Sequence, residues 1–288
     1  MNAPGSRSIE FQTADGLTLR GDAWGDPTSR PVLLLHGGGQ TRFAWGGTAR
    51  ALAEHGWYAL ALDLRGHGES DWAADANYEL GRFARDTLEI AGQLSQRPAV
   101  VGASLGGLSA LLGFAGESQP FSALVLVDIT PRMERRGAEG ILAFMRQQVQ
   151  EGFESLEDAA DAIARYLPHR PRPRDHSGLA KNLRRGEDGR WRWHWDPNFV
   201  LGDRRPGVDR SHLQLDGAAR AIRIPTLLVR GRMSELVSEQ TAREFLDLVP
   251  HAKYVDVSGA GHMVAGDRND AFTAAIAGFL GEPGLGPR

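Results

Sequence analysis

The sequence predicts an α/β fold, a mostly parallel central sheet flanked by helices, and three observations carry that reading. Short apolar runs alternate with stretches of helical spacing, an antiparallel hairpin signal opens the chain, and one interval is too long for an ordinary connection. The hairpin is read at Asp15-Gly16, where two alternating segments meet at residues that tolerate positive φ. Buried strands are expected over 32–35, 58–62, 99–101, 124–127, 226–229 and 254–257, each apolar and bounded by glycine or polar residues. Helices are expected over 48–54, 80–94, 105–114 and 239–249. Such an alternation is best buried as a parallel sheet covered on both faces.

The interval 128–225 far exceeds a normal βα connection and marks an insertion after the sixth strand. It carries helix-like segments over 138–150 and 156–166, a Pro/Arg stretch over 169–174, and then Trp191, Trp193 and Trp195. The reading is a core made of 1–131 and 218–288 with a mainly helical cap over 132–217. The glycine- and proline-rich tail 281–288 is expected to fray.

A chain of 288 residues, 41% hydrophobic and 24% charged, fits one enlarged domain better than two independent ones. A net charge of -3 gives no reason to expect nucleic acid or an anionic membrane as partner. The complete lack of cysteine excludes disulfides, thiolate metal sites and a cysteine nucleophile. No histidine pair has zinc-type spacing with a carboxylate motif, so neither metal nor cofactor is expected. Residues 1–12 contain no apolar signal region and no later stretch approaches a membrane span, from which a cytoplasmic location is expected.

Ser104 lies in Gly102-Ala103-Ser104-Leu105-Gly106, after an apolar strand and before a helix. A sharp strand-to-helix turn lifts a hydroxyl clear of the backbone only if its neighbours are small, and the following helix aims free N–H groups at the same place. A serine nucleophile needs a base, and His262 in the glycine-rich Ser258-Gly259-Ala260-Gly261-His262 follows the last predicted strand. The base needs an orienting carboxylate. Glu235 is the first choice because it gives the chain order Ser, acid, His; Asp128, directly after the strand over 124–127, is the rival. The loop Leu35-His36-Gly37-Gly38-Gly39-Gln40 lets the main chain approach a substrate, so the N–H groups of Gly38 and Leu105 are the expected oxyanion donors, with His36 fixing the loop.

Four blocks together resemble the α/β-hydrolase superfamily over nearly the whole chain: the His36-Gly37 loop, Asp63-Leu64-Arg65-Gly66-His67-Gly68-Glu69-Ser70, the turn at Ser104, and Gly261-His262. The second block is similar to the family's DxRGxGxS signature, which implies a structural role for Asp63 and Arg65. The serine at 104 sets the chain apart from the epoxide hydrolases and haloalkane dehalogenases of this fold, which use aspartate there. Met263 stands where hydrolases of ring-fission carbon-carbon bonds typically carry tryptophan. Cofactor-free haloperoxidases share the triad, but nothing in the sequence singles out peroxide use. Most relatives have aspartate after the seventh strand; some, fungal lactonases included, place the acid after the sixth, which keeps Asp128 open.

The resemblance implies a serine hydrolase that cleaves carboxylic esters or lactones of small to medium apolar molecules through an acyl-enzyme. The alternatives are carbon-carbon bond hydrolysis of ring-fission products and a non-catalytic ligand-binding protein on the same fold. Phe43, Trp45, Trp191, Trp193 and Trp195 are candidates for lining the substrate pocket, against the competing reading that each packs in the core. Arginines over 165–192 are interleaved with acidic residues and are expected to be solvated or salt-bridged. The sequence carries no sign of an oligomeric state.

Overall fold

The computed structural model describes residues 5–116, 118–147, 149–166, 178–206, 212–262 and 270–286. In chain order the elements are β1 (Arg7–Gln12), β2 (Thr18–Trp24), β3 (Pro31–Leu35), α1 (Gly46–Glu54), β4 (Tyr58–Leu62), α2 (Leu80–Gln93), β5 (Ala99–Ala103), α3 (Leu105–Leu112) and β6 (Ala123–Val127). Then come α4 (Arg135–Arg146), α5 (Leu156–Tyr166), the short strands β7 (Leu183–Arg185) and β8 (Trp191–Trp193), and α6 (Asn198–Leu201). The chain returns through α7 (His212–Ala221), β9 (Thr226–Gly231), α8 (Glu239–Leu248), β10 (Lys253–Val257) and α9 (Asp270–Leu280).

Eight strands form one sheet in the order β1-β2-β4-β3-β5-β6-β9-β10. The hairpin β1-β2 lies antiparallel at one edge, as the Asp15-Gly16 turn predicts, and every pairing from β4 onward is parallel. All residues of β3, β5, β6 and β9 are buried, the pattern of strands covered on both faces. Alternate side chains serve opposite layers. Val32 and Leu34 pack with Leu52 of α1 and Ile276 of α9, while Leu33 and Leu35 join Phe83 of α2 and Leu111 of α3. Among the described residues no helix is long and apolar enough to cross a membrane.

The segment between β6 and β9 contains helices, as its spacing predicts, and also the hairpin β7-β8, which the reading of it as mainly helical did not include. Helix α7 runs across the boundary expected at 217/218 and packs on α3 and α8. The Pro/Arg stretch over 169–174 and Met263 lie outside the described residues. The tail departs from the expectation of fraying as far as Gly286: Arg30 Nη1 donates to the carbonyls of Leu285 at 3.0 Å and Gly286 at 3.1 Å, and Leu285 packs against the core.

Two buried arginines hold the loops at the carboxyl end of the sheet. Asp63, following β4, accepts from the Arg42 backbone N–H at 2.6 Å, from the Glu69 N–H at 3.0 Å and from the Arg42 guanidinium, which also bonds Asp22 and Glu69. Burial works against the Arg42 charge, yet Asp63, Glu69 and Asp22 outweigh it and raise its pKa above the ordinary arginine value. Arg65 forms a bidentate pair with Asp86 of α2, at 2.6 and 2.5 Å, and shares Asp15 of the β1-β2 turn. The structural role implied for Asp63 and Arg65 is what these contacts describe.

Two buried histidines complete this layer. His36 Nε2 accepts the Leu64 N–H at 3.0 Å, and His67 Nε2 accepts the Gly39 N–H at 3.1 Å. Each Nδ1 faces a carbonyl, Gly37 and Arg65 respectively, so both rings are neutral and carry the proton on Nδ1. Burial holds the His36 pKa down at about 4 and that of His67 at about 3, where the neighbouring His36 adds to the effect.

Two predictions follow from these contacts. Asp86→Ala leaves the Arg65 charge buried with only the partly exposed Asp15, and is expected to cost about 3 kcal/mol in urea unfolding; a loss below about 1 kcal/mol would show that Asp15 alone suffices. The second concerns acid. Because the unfolded rings titrate near 6.5 and the folded ones lower, the unfolded chain binds more protons below about pH 6.5, and stability drops as the pH is lowered, by up to about 1.4 kcal/mol per unit for each ring. Above that pH neither ring contributes. Urea midpoints between about pH 7 and about pH 5 should show this slope, and His67→Gln should flatten it; an unchanged slope in the variant would remove His67 from the account.

Candidate active site

The turn between β5 and α3 gives Ser104 a φ of 45° and ψ of -115°, a conformation costing about 1–3 kcal/mol that persists only where its surroundings enforce it. The enforcement is close packing. A Cβ on Gly102 would lie 2.5 Å from the Gly107 nitrogen, and one on Gly106 would lie 2.5 Å from the Leu35 carbonyl oxygen. The Gly106 N–H donates to His36 O at 3.1 Å, which ties the start of α3 to the loop after β3. Leu105 opens α3, so its N–H has no partner within the helix.

Asp128 follows β6 directly, is fully buried, and also has a positive φ, 50°. Its Oδ2 lies 2.8 Å from His262 Nδ1 and accepts the Ser234 hydroxyl at 2.6 Å, while its Oδ1 accepts the Gly231 N–H at 3.0 Å. A carboxylate on Nδ1 fixes the proton there and leaves Nε2 as the basic nitrogen. The structure brings Asp128, the second of the two candidate acids, to His262. Glu235 is exposed and has no bond to that ring.

Sequence reasoning missed Ser234, one position before Glu235. Its hydroxyl donates to Asp128 and accepts the N–H groups of Leu236 and Val237 at 3.1 and 3.0 Å. The loop after β9 thus supplies a hydroxyl that anchors the carboxylate of its neighbour strand. The signal available was a serine in the loop where an acid was sought, which by itself names no partner.

Ser104, His262, Gly38 and Leu105 line one cavity of about 160 Å³. Among the described residues the Gly38 N–H has no acceptor, whereas its neighbours are committed, Gly37 to Gln40 Oε1 at 2.9 Å and Gly39 to His67. The lining is otherwise mostly apolar, with Met145, Trp193, Trp195 and Phe199 contributed by the segment between β6 and β9. Tyr166 also lines it, stacked on Phe144 at 4.3 Å, and burial aided by the Glu235 charge pushes its phenol up to about 12.

Of the aromatic candidates, Trp193 and Trp195 reach the cavity and the other three do not. Trp191 pairs by backbone with Phe153. Phe43 sits between Arg42 and Lys181, at 4.8 and 5.6 Å, and Trp45 is fully buried against α1 and the sheet. Phe199 and Met145 lay unremarked among the apolar residues of the inserted segment. Arg192 pairs with Asp188, an acidic residue interleaved with the arginines as expected, whereas Arg190 pairs with Glu154, outside that stretch. A wider open cleft of about 730 Å³, lined by Arg146, Arg165 and Arg190, holds none of Ser104, Asp128 or His262. Among the described residues no group of three or more His, Asp or Glu side chains is placed to hold a metal ion.

Comparison with known proteins agrees with this architecture. The family model of the α/β-hydrolase fold matches residues 30–268. The chain is 33% identical to the esterase Rv0045c of Mycobacterium tuberculosis over 265 residues, 89% of this chain and 84% of that one. It is 30% identical to a 3-hydroxybutyrate-oligomer hydrolase of Cupriavidus necator, over 83% of this chain and 85% of the relative. A crystal structure of an α/β hydrolase from Novosphingobium aromaticivorans superposes with a TM-score of 0.81 at 27% identity, covering 97% of this chain and 99% of that one. The chain therefore belongs to the α/β-hydrolase family and is an esterase-like hydrolase within it.

Proposed function

We propose that the protein hydrolyses carboxylic esters, lactones included, of small to medium apolar molecules through an acyl-enzyme on Ser104. The observation that supports this best is the hydrogen bond between Asp128 and His262, which joins a buried carboxylate to a histidine sharing one apolar cavity with Ser104. In this reading His262 Nε2 takes the Ser104 proton as the hydroxyl oxygen attacks the ester carbonyl. The oxyanion is held by the N–H groups of Gly38 and Leu105, and collapse expels the alcohol, protonated by His262. Water, deprotonated by the same nitrogen, then attacks the acyl-enzyme, releases the acid and restores Ser104. Asp128 stabilises the imidazolium formed twice in each cycle, and the Ser234 and Gly231 donors hold its carboxylate in place.

The test is hydrolysis of aryl esters of graded acyl length. Ser104→Ala is expected to lower kcat by on the order of 10⁵ or more and Asp128→Asn by about 10³–10⁴. Glu235→Gln is expected to stay within about twofold of wild type, since an exposed carboxylate away from the imidazole contributes nothing to its orientation. A Ser104→Ala variant as active as wild type would overturn the mechanism. A Glu235→Gln loss exceeding that of Asp128→Asn would return the acid's role to Glu235.

A further inference from the structure

We infer that the indole N–H of Trp195 selects, within the ester site, for substrates carrying a second oxygen acceptor close to the scissile group. Trp195 is 2% exposed and lines the cavity together with Ser104 and Gly38. An indole N–H can only donate, and a buried one ordinarily finds an acceptor. Among the described residues that of Trp195 has none: its contacts are the edge of Phe199, at 6.2 Å between centroids, and its backbone bridge to His67. The indole nitrogens of Trp24, Trp45 and Trp193 also lack an acceptor, but they are closed off from any accessible space. The Trp195 nitrogen is not sealed in this way, and it lies 3.7 Å from the point where a Cβ on Gly39 would sit. Met145 Cε comes nearer to that point, at 2.9 Å, so glycine at 39 leaves room for the Met145 methyl beside this donor.

The chemistry around the donor narrows what it takes. Water held there would face mostly apolar neighbours, such as Met145 and Phe199, and would lack the two to four polar partners a buried water needs. An ether, hydroxyl or carbonyl oxygen that is part of the ester needs only the one bond, because the rest of the molecule fills the apolar wall. Gly39 adjoins Gly38, whose N–H is the proposed oxyanion donor, so the acceptor belongs within a few bonds of the scissile carbonyl. The inference rests on the proposed ester hydrolysis.

The experiment compares ester pairs that differ by oxygen in place of one methylene. On the acyl side these are 4-nitrophenyl 3-methoxypropanoate against pentanoate, and on the alcohol side 2-methoxyethyl against butyl butyrate. Each is measured as kcat/KM for wild type and Trp195→Phe. Dividing the oxygen-to-methylene ratio of wild type by that of the variant cancels intrinsic reactivity and any general damage from the substitution. The quotient is expected to be about fivefold on one side and near unity on the other. The side that responds places the acceptor in the acid or the alcohol. A quotient near unity on both sides overturns the inference, whether the variant retains full activity or loses it equally for all four esters, the latter marking the indole as packing or as a further oxyanion donor. Failure of the ester reading itself looks different, since wild type would then turn over none of the four.

Discussion

The Asp63 carboxylate is the contact on which the carboxyl end of the sheet depends. It receives the backbone of Arg42 and of Glu69 together with the Arg42 guanidinium, and so fastens the loop after β3 to the loop after β4. Both loops then continue to the site: the first carries Gly37, Gly38 and Gly39, and the second carries His67, which accepts the Gly39 N–H. A buried ion pair of this kind adds little net stability compared with apolar packing, but breaking one partner leaves a stranded charge. Its worth here is positional. Main-chain donors stabilise an oxyanion only if they are fixed before the reaction, and glycines have no side chain with which to fix themselves.

Sheet register supplies the second constraint. Ala103 of β5 stands beside Val127 of β6, so the residues that follow, Ser104 and Asp128, leave neighbouring strands at the same level. Both leave with positive φ, 45° and 50°. The neighbouring β9 continues the pattern, with Gly231 and Ser234 donating to the carboxylate. The end of β9 thus holds the Asp128 carboxylate that meets His262, which arrives from the loop after β10 and shares the cavity with Ser104. This is the crevice outside the carboxyl ends of parallel strands where open α/β sheets bind ligands.

Much of this was legible in the sequence because it rests on local rules. Alternation of apolar runs and helical spacing placed the strands, Asp15-Gly16 placed the hairpin, and the small residues around Ser104 marked a turn that larger ones would block. The choice between Glu235 and Asp128 was not legible in the same way. Both acids fit the chain order Ser, acid, His, and position after the seventh strand points to Glu235, but which carboxylate meets an imidazole depends on side-chain direction across two strands, and no residue near either reports it. The aromatic candidates divide for a similar reason. Trp45 and Trp195 are equally apolar, and one fills the core beside α1 while the other faces the cavity, a distinction made by packing at long range. The β7-β8 hairpin escaped because three-residue strands carry too little periodicity to read.

The segment between β6 and β9 shapes the cavity, and its attachment determines how firmly. Two of its bonds to the core meet one loop, where the Gly68 N–H donates to His194 O at 2.7 Å and the Asp196 N–H donates to Gly66 O at 2.8 Å; others come from Thr41, which donates to Asn182 Oδ1 at 3.1 Å, and from Tyr78, whose hydroxyl donates to Asp196 Oδ2 at 2.6 Å. That loop, 64–71, is the one whose His67 ring accepts the Gly39 N–H and packs edge-on against Phe199 at 4.7 Å. The apolar wall of the cavity and the main chain proposed to hold the oxyanion are therefore mounted on neighbouring residues. A displacement of Trp195 or Phe199 that shifts this loop reaches Gly39 through the His67 ring, beside the Asp63 and His36 bonds that also join the two loops. Residues far apart in sequence, 38–39 and 193–199, are thus linked through a few buried bonds, and the neutral His67 ring is one of the joints between them.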